Sequence, residues 1–148
     1  MPYLNNFFQL SIRESAAETL DVCLKLVEVR ERGSKKQWHR KIYDEAYKGL
    51  SHPAVEIIHG SLLSFRVLFT QPGKLLEDTK YREAFEIIFR LRDHKDPSVR
   101  KSVVSIFPGF AYHETEVFVR EYLNFTMDFL LNQSRKEKEK SACKSYSV

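Results

Sequence analysis

Apolar residues return along this chain every three or four positions, the spacing that places them on one face of an α-helix. Tyr3, Leu4, Phe7, Phe8 and Leu10 begin the pattern, with a spacing that fits the end of a helix lacking its beginning. Ser11-Ile12-Arg13-Glu14 has the Ser-x-x-Glu form of a capping box, which predicts a helix start there. Ile12, Ala16, Leu20, Cys23 and Val27 give that helix a core stripe, widened by Ala17 and Leu24 and ended by Gly33-Ser34. A second helix is predicted from about Lys36 to Leu50, with Trp38, Ile42, Tyr43, Ala46 and Leu50 on one side. A third opens at Pro53, carries Val55, Ile58, Leu62, Phe65 and Phe69, and stops at Pro72-Gly73. The fourth, about Leu75 to Leu91, turns Tyr81, Phe85, Ile88 and Phe89 inward. Asp96-Pro97 then marks a sharp helix start: the carboxylate suits an N-cap, and proline tolerates the first helical position. Val99, Val103, Ile106, Phe107 and Phe110 continue from it, and Pro108 predicts a kink or a stop near Ser105. The last helix, about Glu114 to Asn132, carries Val117, Phe118, Tyr122, Phe125, Phe129 and Leu130.

The helix starts repeat. Ile12-Arg13, Pro53-x-Val55-Glu56 and Asp96-Pro97-x-Val99-Arg100 are separated by 43 and 44 residues. HEAT and armadillo units are about 40–47 residues long, and the acid–Pro–x–aliphatic–Arg form suits the second helix of such a unit. The fold expected is all-α, a HEAT/armadillo-type solenoid of stacked antiparallel helix pairs. Residues 1–132 make about three pairs plus one unpaired helix, and residues 133–148 a charged, flexible tail. Ile12, Arg13, Pro53, Val55, Asp96, Pro97, Val99 and Arg100 are its structural repeat motif. Neither end shows a polar capping repeat, so self-association through open ends is expected.

Composition agrees with a folded helical domain. Hydrophobic residues make up 43% and charged residues 30%, and only five glycines and five prolines are present, too few for a strand-and-turn protein. No apolar run reaches the roughly 20 residues of a membrane span. The net charge of +4 is uneven: residues 30–41 carry +5 and residues 133–148 carry +3, which leaves −4 elsewhere. The candidate interaction surface is therefore Lys35, Lys36, Trp38, Arg40 and Lys41, where basic residues surround an aromatic. In the tail, Arg135 to Lys140 alternates in sign, as a solvated helix face does.

Three stretches resemble the N-terminal HEAT region of the target of rapamycin (TOR) serine/threonine-protein kinases, members of the PI3K-related kinase family. They are Arg13-Glu14-Ser15-Ala16-Ala17-Glu18-Thr19-Leu20, Gln37-Trp38-His39-Arg40 with Tyr43, Glu45-Ala46 and Lys48-Gly49, and Ile58-His59-Gly60-Ser61-Leu62-Leu63. Ser105 to Ala111 and Lys138 to Ala142 are weaker matches in the same order. The resemblance implies a scaffold segment serving protein–protein assembly in TOR signalling, with a raptor-type regulatory subunit among its partners. It also implies a cytoplasmic setting, peripheral on endomembranes as part of a larger complex. Two departures stand out: Thr70 to Leu75 leaves little room for the family's long insertion, and Lys144 to Val148 does not continue as the family does. The alternatives are a HEAT adaptor of another pathway and a small basic nucleic-acid binder, the latter less favoured.

No catalytic chemistry is legible. A kinase needs a Gly-rich loop, a strand lysine, a catalytic-loop aspartate and a metal-binding aspartate. Here His39-Arg40 is followed by Lys41, Asp128-Phe129 by Leu130, and no Gly-x4-Gly-Lys loop exists. The five histidines lack metal-ligand spacing, and Cys23 and Cys143 have no evident partner. No catalytic, cofactor or metal residue is assigned. His59 is expected to be a hydrogen-bonded packing residue, and Gly60 to permit close helix packing.

Overall fold

The structure is a computed structural model that describes residues 2–74 and 76–145, with side chains described for 9–74 and 76–141. The chain divides into two compact units, Met1–His113 and Glu114–Val148. Five helices build the first: α1 (Pro2–Arg30), α2 (Lys35–Gly49), α3 (Val55–Thr70), α4 (Asp78–Arg90) and α5 (Pro97–His113). Short 3-10 turns at Arg32–Ser34 and Leu91–Asp93 link α1 to α2 and lead out of α4. Among the described residues there is no strand, so the all-α expectation holds.

Helix α3 organises this unit. It packs against α1 on one side, α5 on the other, and α2 across a second layer, where α4 in turn meets α5. Its sequence requires such surroundings. Ile58, Leu62, Leu63, Phe65, Val67, Leu68 and Phe69 point in all directions and are all buried, as in a helix that is apolar all round. Aromatic rings then carry the core across the layers. Tyr43 meets Phe65 edge-on at 5.3 Å, Phe69 lies 4.1 Å from Phe110, and Phe110 meets Tyr81 at 5.3 Å and Phe85 at 5.0 Å. Both buried tyrosine hydroxyls find acceptors, as buried polar groups must. Tyr43 donates to the Lys80 carbonyl and Tyr81 to that of Phe110, each at 2.8 Å. The Phe110 carbonyl lies in the last turn of α5, where no intrahelical donor remains.

Two glycines let helices close on α3, and neither is Gly60. A Cβ on Gly49 would overlap Ser61 Oγ, and one on Gly109 would come within 2.7 Å of Phe69 Cβ. At Gly60 the nearest atom would be Arg13 Cδ at 3.9 Å, an ordinary contact, which corrects the packing role expected there.

A helix start and a helix stop differ from expectation. α1 runs unbroken from Pro2, so Ser11 lies inside a helix and caps nothing, and Ile12-Arg13 opens no helix. α5 continues through Pro108 to His113 rather than ending near Ser105. Pro108 itself is exposed. The core stripe of α1 is also rotated: Ala17 and Leu24 are buried, whereas Ile12, Ala16 and Cys23 are exposed.

The second unit comprises α6 (Thr115–Val117), a π-helical turn (Phe118–Tyr122) and α7 (Leu123–Ser145), which follow one another with helical backbone at both joins. Tyr122 meets Phe125 edge-on at 5.7 Å. α7 extends to Ser145, through the stretch where charge patterning predicted a tail, and Lys140 pairs with Glu137 on its exposed surface.

Candidate interaction surfaces

Of the residues assigned to the repeat motif, those around Pro53 and Asp96 lie at helix entrances. Asp96 Oδ1 accepts the backbone N–H groups of Ser98 at 2.8 Å and Val99 at 3.4 Å, and also the Ser98 hydroxyl. These bonds, the Ser98 hydroxyl foremost, hold the Asp96 carboxyl below its ordinary pKa. Pro97 is the first residue of α5, and Val99 is fully buried. Arg100 does not pair with Asp96. Its guanidinium donates to the carbonyls of His94 at 2.7 Å and Lys95 at 2.8 Å, closing the turn before the helix. Pro53 lies in the turn ahead of α3, and Val55 is the first residue of that helix.

The two entrances share a device outside the motif residues. His52 Nδ1 accepts the Ala54 N–H at 3.0 Å, and His94 Nδ1 accepts the Asp96 N–H at 3.1 Å. Each imidazole thus satisfies an N–H at the entrance to a helix of the α3 layer. The signal was available, since both histidines stand just ahead of predicted helix starts.

The basic stretch at the start of α2 does not form one surface, because successive helical residues point about 100° apart. Lys35 is fastened inward. It forms an ion pair with Glu28 of α1 and donates to the Pro72 carbonyl at 3.0 Å. His39 is buried, its Nδ1 donating to the Lys35 carbonyl at 2.8 Å, and burial lowers its pKa. Trp38 and Lys41 share another side, with the ammonium 5.4 Å from the indole centroid. Lys36 and Arg40 are exposed on a third side, over a groove of about 320 Å³ whose other wall is the start of α4.

Trp38 was expected to sit at helical spacing with the core; it is 43% exposed instead. It borders a shallow groove of about 420 Å³ with Leu20 of α1, Ile42 of α2, and Ile57 and Gly60 of α3. Trp38 and Gly60, which belong to stretches far apart in sequence, therefore border one surface. Next to Gly60 along α3, buried His59 accepts the Arg13 Nε–H at 3.0 Å, which ties α3 to α1. Burial, then the Arg13 charge, lowers the His59 pKa and keeps the ring neutral as that acceptor.

Helix α1 presents a further apolar face. Ile12, Val22, Leu26 and Val29 fall within about a third of its circumference. All four are more than half exposed, from 55% at Val22 to 72% at Val29. Ala17 and Leu24, buried, are on the opposite side. Among the described residues, no cluster of His, Cys, Asp and Glu could hold a metal ion, and no helix is long and apolar enough to cross a membrane.

These features define an all-α helical-repeat protein with exposed apolar groups on its helix faces. Its relatives identify the kind. The chain is 36% identical over 130 residues to serine/threonine-protein kinase tor1 of Schizosaccharomyces pombe, a match spanning 88% of this chain and 6% of that protein. It is 36% identical over 135 residues to serine/threonine-protein kinase TOR of Arabidopsis thaliana, covering 90% of this chain and 5% of the relative. Serine/threonine-protein kinase TOR2 of Saccharomyces cerevisiae is 28% identical over 136 residues, 85% of this chain and 6% of the relative. The resemblance to the TOR kinases read from the sequence stands, and it is a resemblance to one short segment of them. The chain spans about a twentieth of the length of the curated relatives it matches. No family model and no solved structure matches it.

Proposed function

We propose that this chain is a non-catalytic scaffold segment of the TOR type, a run of HEAT repeats serving protein–protein assembly in TOR signalling. The observation that carries this reading is the second apolar face of α1. In the same layer, α3 has neighbours on both sides, and its apolar residues from Ile58 to Phe69 are buried. α1 has α3 on one side, yet Ile12, Val22, Leu26 and Val29 make its other side apolar. A stripe of this kind is what a further helix would pack against.

In this reading the stripe receives another protein surface, either an adjoining repeat or a raptor-type regulatory subunit. Catalysis is supplied by other residues of a TOR kinase, and the setting is a cytoplasmic complex, peripheral on endomembranes. The test is affinity capture from eukaryotic cells with the intact chain and with a Leu26→Asp/Val29→Asp variant. Enrichment of a raptor-type protein or TOR subunits by the intact chain, lost in the variant, is the expected result. Equal recovery by both proteins, or none by either, overturns the role assigned to this face.

A further inference from the structure

The groove between the start of α2 and the start of α4 is separate from the α1 face and has a different character. Lys36 and Arg40 stand one helical turn apart on the same side of α2. Facing them are Lys74, in the segment that leads into α4, and Lys80, in its first turn. Leu76, 7% exposed, forms the apolar floor, and Glu77 is the carboxylate among the described residues of the lining.

The four cations are not equivalent. Lys74 pairs with Asp78 at 2.7 Å. Lys80 pairs with Asp44 at 3.1 Å and lies 4.6 Å from the centre of the Tyr43 ring. Tyr43 in turn donates to the Lys80 carbonyl, so this wall is held in place from α2. Lys36 and Arg40 are exposed and have no carboxylate partner among the described residues. Two cations without a carboxylate partner thus face a wall of mixed charge, in which both lysines are already paired.

We propose that this groove binds an acidic peptide segment of a partner protein. A carboxylate of the peptide sits between Lys36 and Arg40, and an adjacent apolar side chain lies on Leu76. Charge complementarity selects the ligand class, and the surroundings select a peptide over a polyanion. Asp44, Glu77 and Asp78 interrupt the basic surface within a few residues, whereas a nucleic acid presents a phosphate every few ångströms and needs a continuous basic track. A volume of about 320 Å³ accommodates side chains rather than a strand of nucleotides.

Fluorescence anisotropy on the full chain tests this with a short labelled peptide rich in Glu and Leu, beside the same peptide with Gln in place of Glu. The acidic peptide is expected to bind, increasingly weakly as salt rises, and the amide version not to bind. Lys36→Glu/Arg40→Glu is expected to weaken binding by about tenfold or more, because it sets like charges against the ligand. Lys36→Gln/Arg40→Gln should weaken it less, and Lys48→Glu/Lys101→Glu, which reverses two exposed lysines elsewhere, should leave it unchanged. Both groove variants should keep the helical circular dichroism and melting temperature of the parent, since the two side chains are solvent-exposed. Equal binding of the two peptides overturns the proposal, as does an equal loss in the Lys48/Lys101 variant. Tighter binding of oligothymidine or phosphatidylserine vesicles through Lys36 and Arg40 assigns the groove to another ligand and overturns it too.

Discussion

Helices α1 and α3 occupy the same layer and are both apolar on more than one side, yet they are covered differently. α3 has α1, α5 and α2 around it, and Leu62 and Phe65 have no exposed surface. α1 has α3 on one side, and Leu26 on the other is 56% exposed. The difference shows that an apolar stripe in a repeat protein reports how many neighbours a helix can take. It does not report how many it has.

The sharpest test of that contrast places a charge on each helix. Leu62→Asp buries an unpaired carboxylate and should cost several kcal/mol, a large part of the roughly 5–15 kcal/mol that holds a domain together. Loss of helical circular dichroism and of a cooperative melt is expected. Leu26→Asp should leave stability within about 0.5 kcal/mol, as surface changes do. In sedimentation it should reduce any self-association of the parent. Equal damage from the two substitutions would break the comparison.

Glycine contacts sharpen it next. Gly109→Ala and Gly49→Ala push a methyl into Phe69 and Ser61 on covered sides of α3, and each should destabilise by about 1–3 kcal/mol. Gly60→Ala, on α3 itself beside the shallow groove, adds a methyl at ordinary contact distance and should stabilise by roughly 0.5–1 kcal/mol. Denaturant melts of the three variants decide the sign at each site.

The joint between the two helices is pH-sensitive. His59 must be neutral to accept from Arg13, and its folded pKa is lowered, by burial first and the Arg13 charge second. The unfolded chain therefore binds the proton more readily. The stabilisation is complete above the ordinary value of 6.5 and is lost as pH falls through the lowered folded pKa. Buried His39 acts in the same direction. Melting temperature should fall between neutral and mildly acidic pH, and His59→Gln should reduce the slope.

The smallest effects separate a working cap from an apparent one. Asp96→Ala removes the α5 cap and should cost about 1 kcal/mol. Because the Asp96 pKa is lowered in the fold, its contribution is present above 3.8 and lost as acid takes pH through the folded value. Ser11→Ala, in the interior of α1, should be neutral or stabilising by a few tenths of a kcal/mol. A loss at Ser11 comparable to that at Asp96 would mean that α1 does begin there.

Helix positions were largely legible because 3.6-residue periodicity survives without knowledge of neighbours. The stripe Val99, Val103, Ile106, Phe107 and Phe110 is buried as the pattern predicts, and Asp96-Pro97 opens α5. Reading failed where one pattern had two physical solutions. Ser-x-x-Glu at Ser11 satisfies a capping box and equally fits a helix interior, and the helix is continuous. Pro108 breaks the ladder locally, but burial of Ile106, Phe107 and Phe110 on either side holds α5 together. Trp38 fitted the core spacing of α2 together with Tyr43, Ala46 and Leu50; the structure buries those three and His39, and leaves Trp38 exposed. The basic stretch read as one surface became an inward anchor, an aromatic edge and a groove wall.

The sequence by itself determined the helical class, the α5 entrance and the resemblance to the TOR kinases, because these depend on local spacing and residue identity. Only the tertiary structure decided which side of α1 is covered, which glycines sit at helix crossings, and that Lys36 and Arg40 face α4. Those outcomes depend on which helices meet. Contact between helices is set by burial and steric fit across residues distant in sequence, which no local pattern encodes.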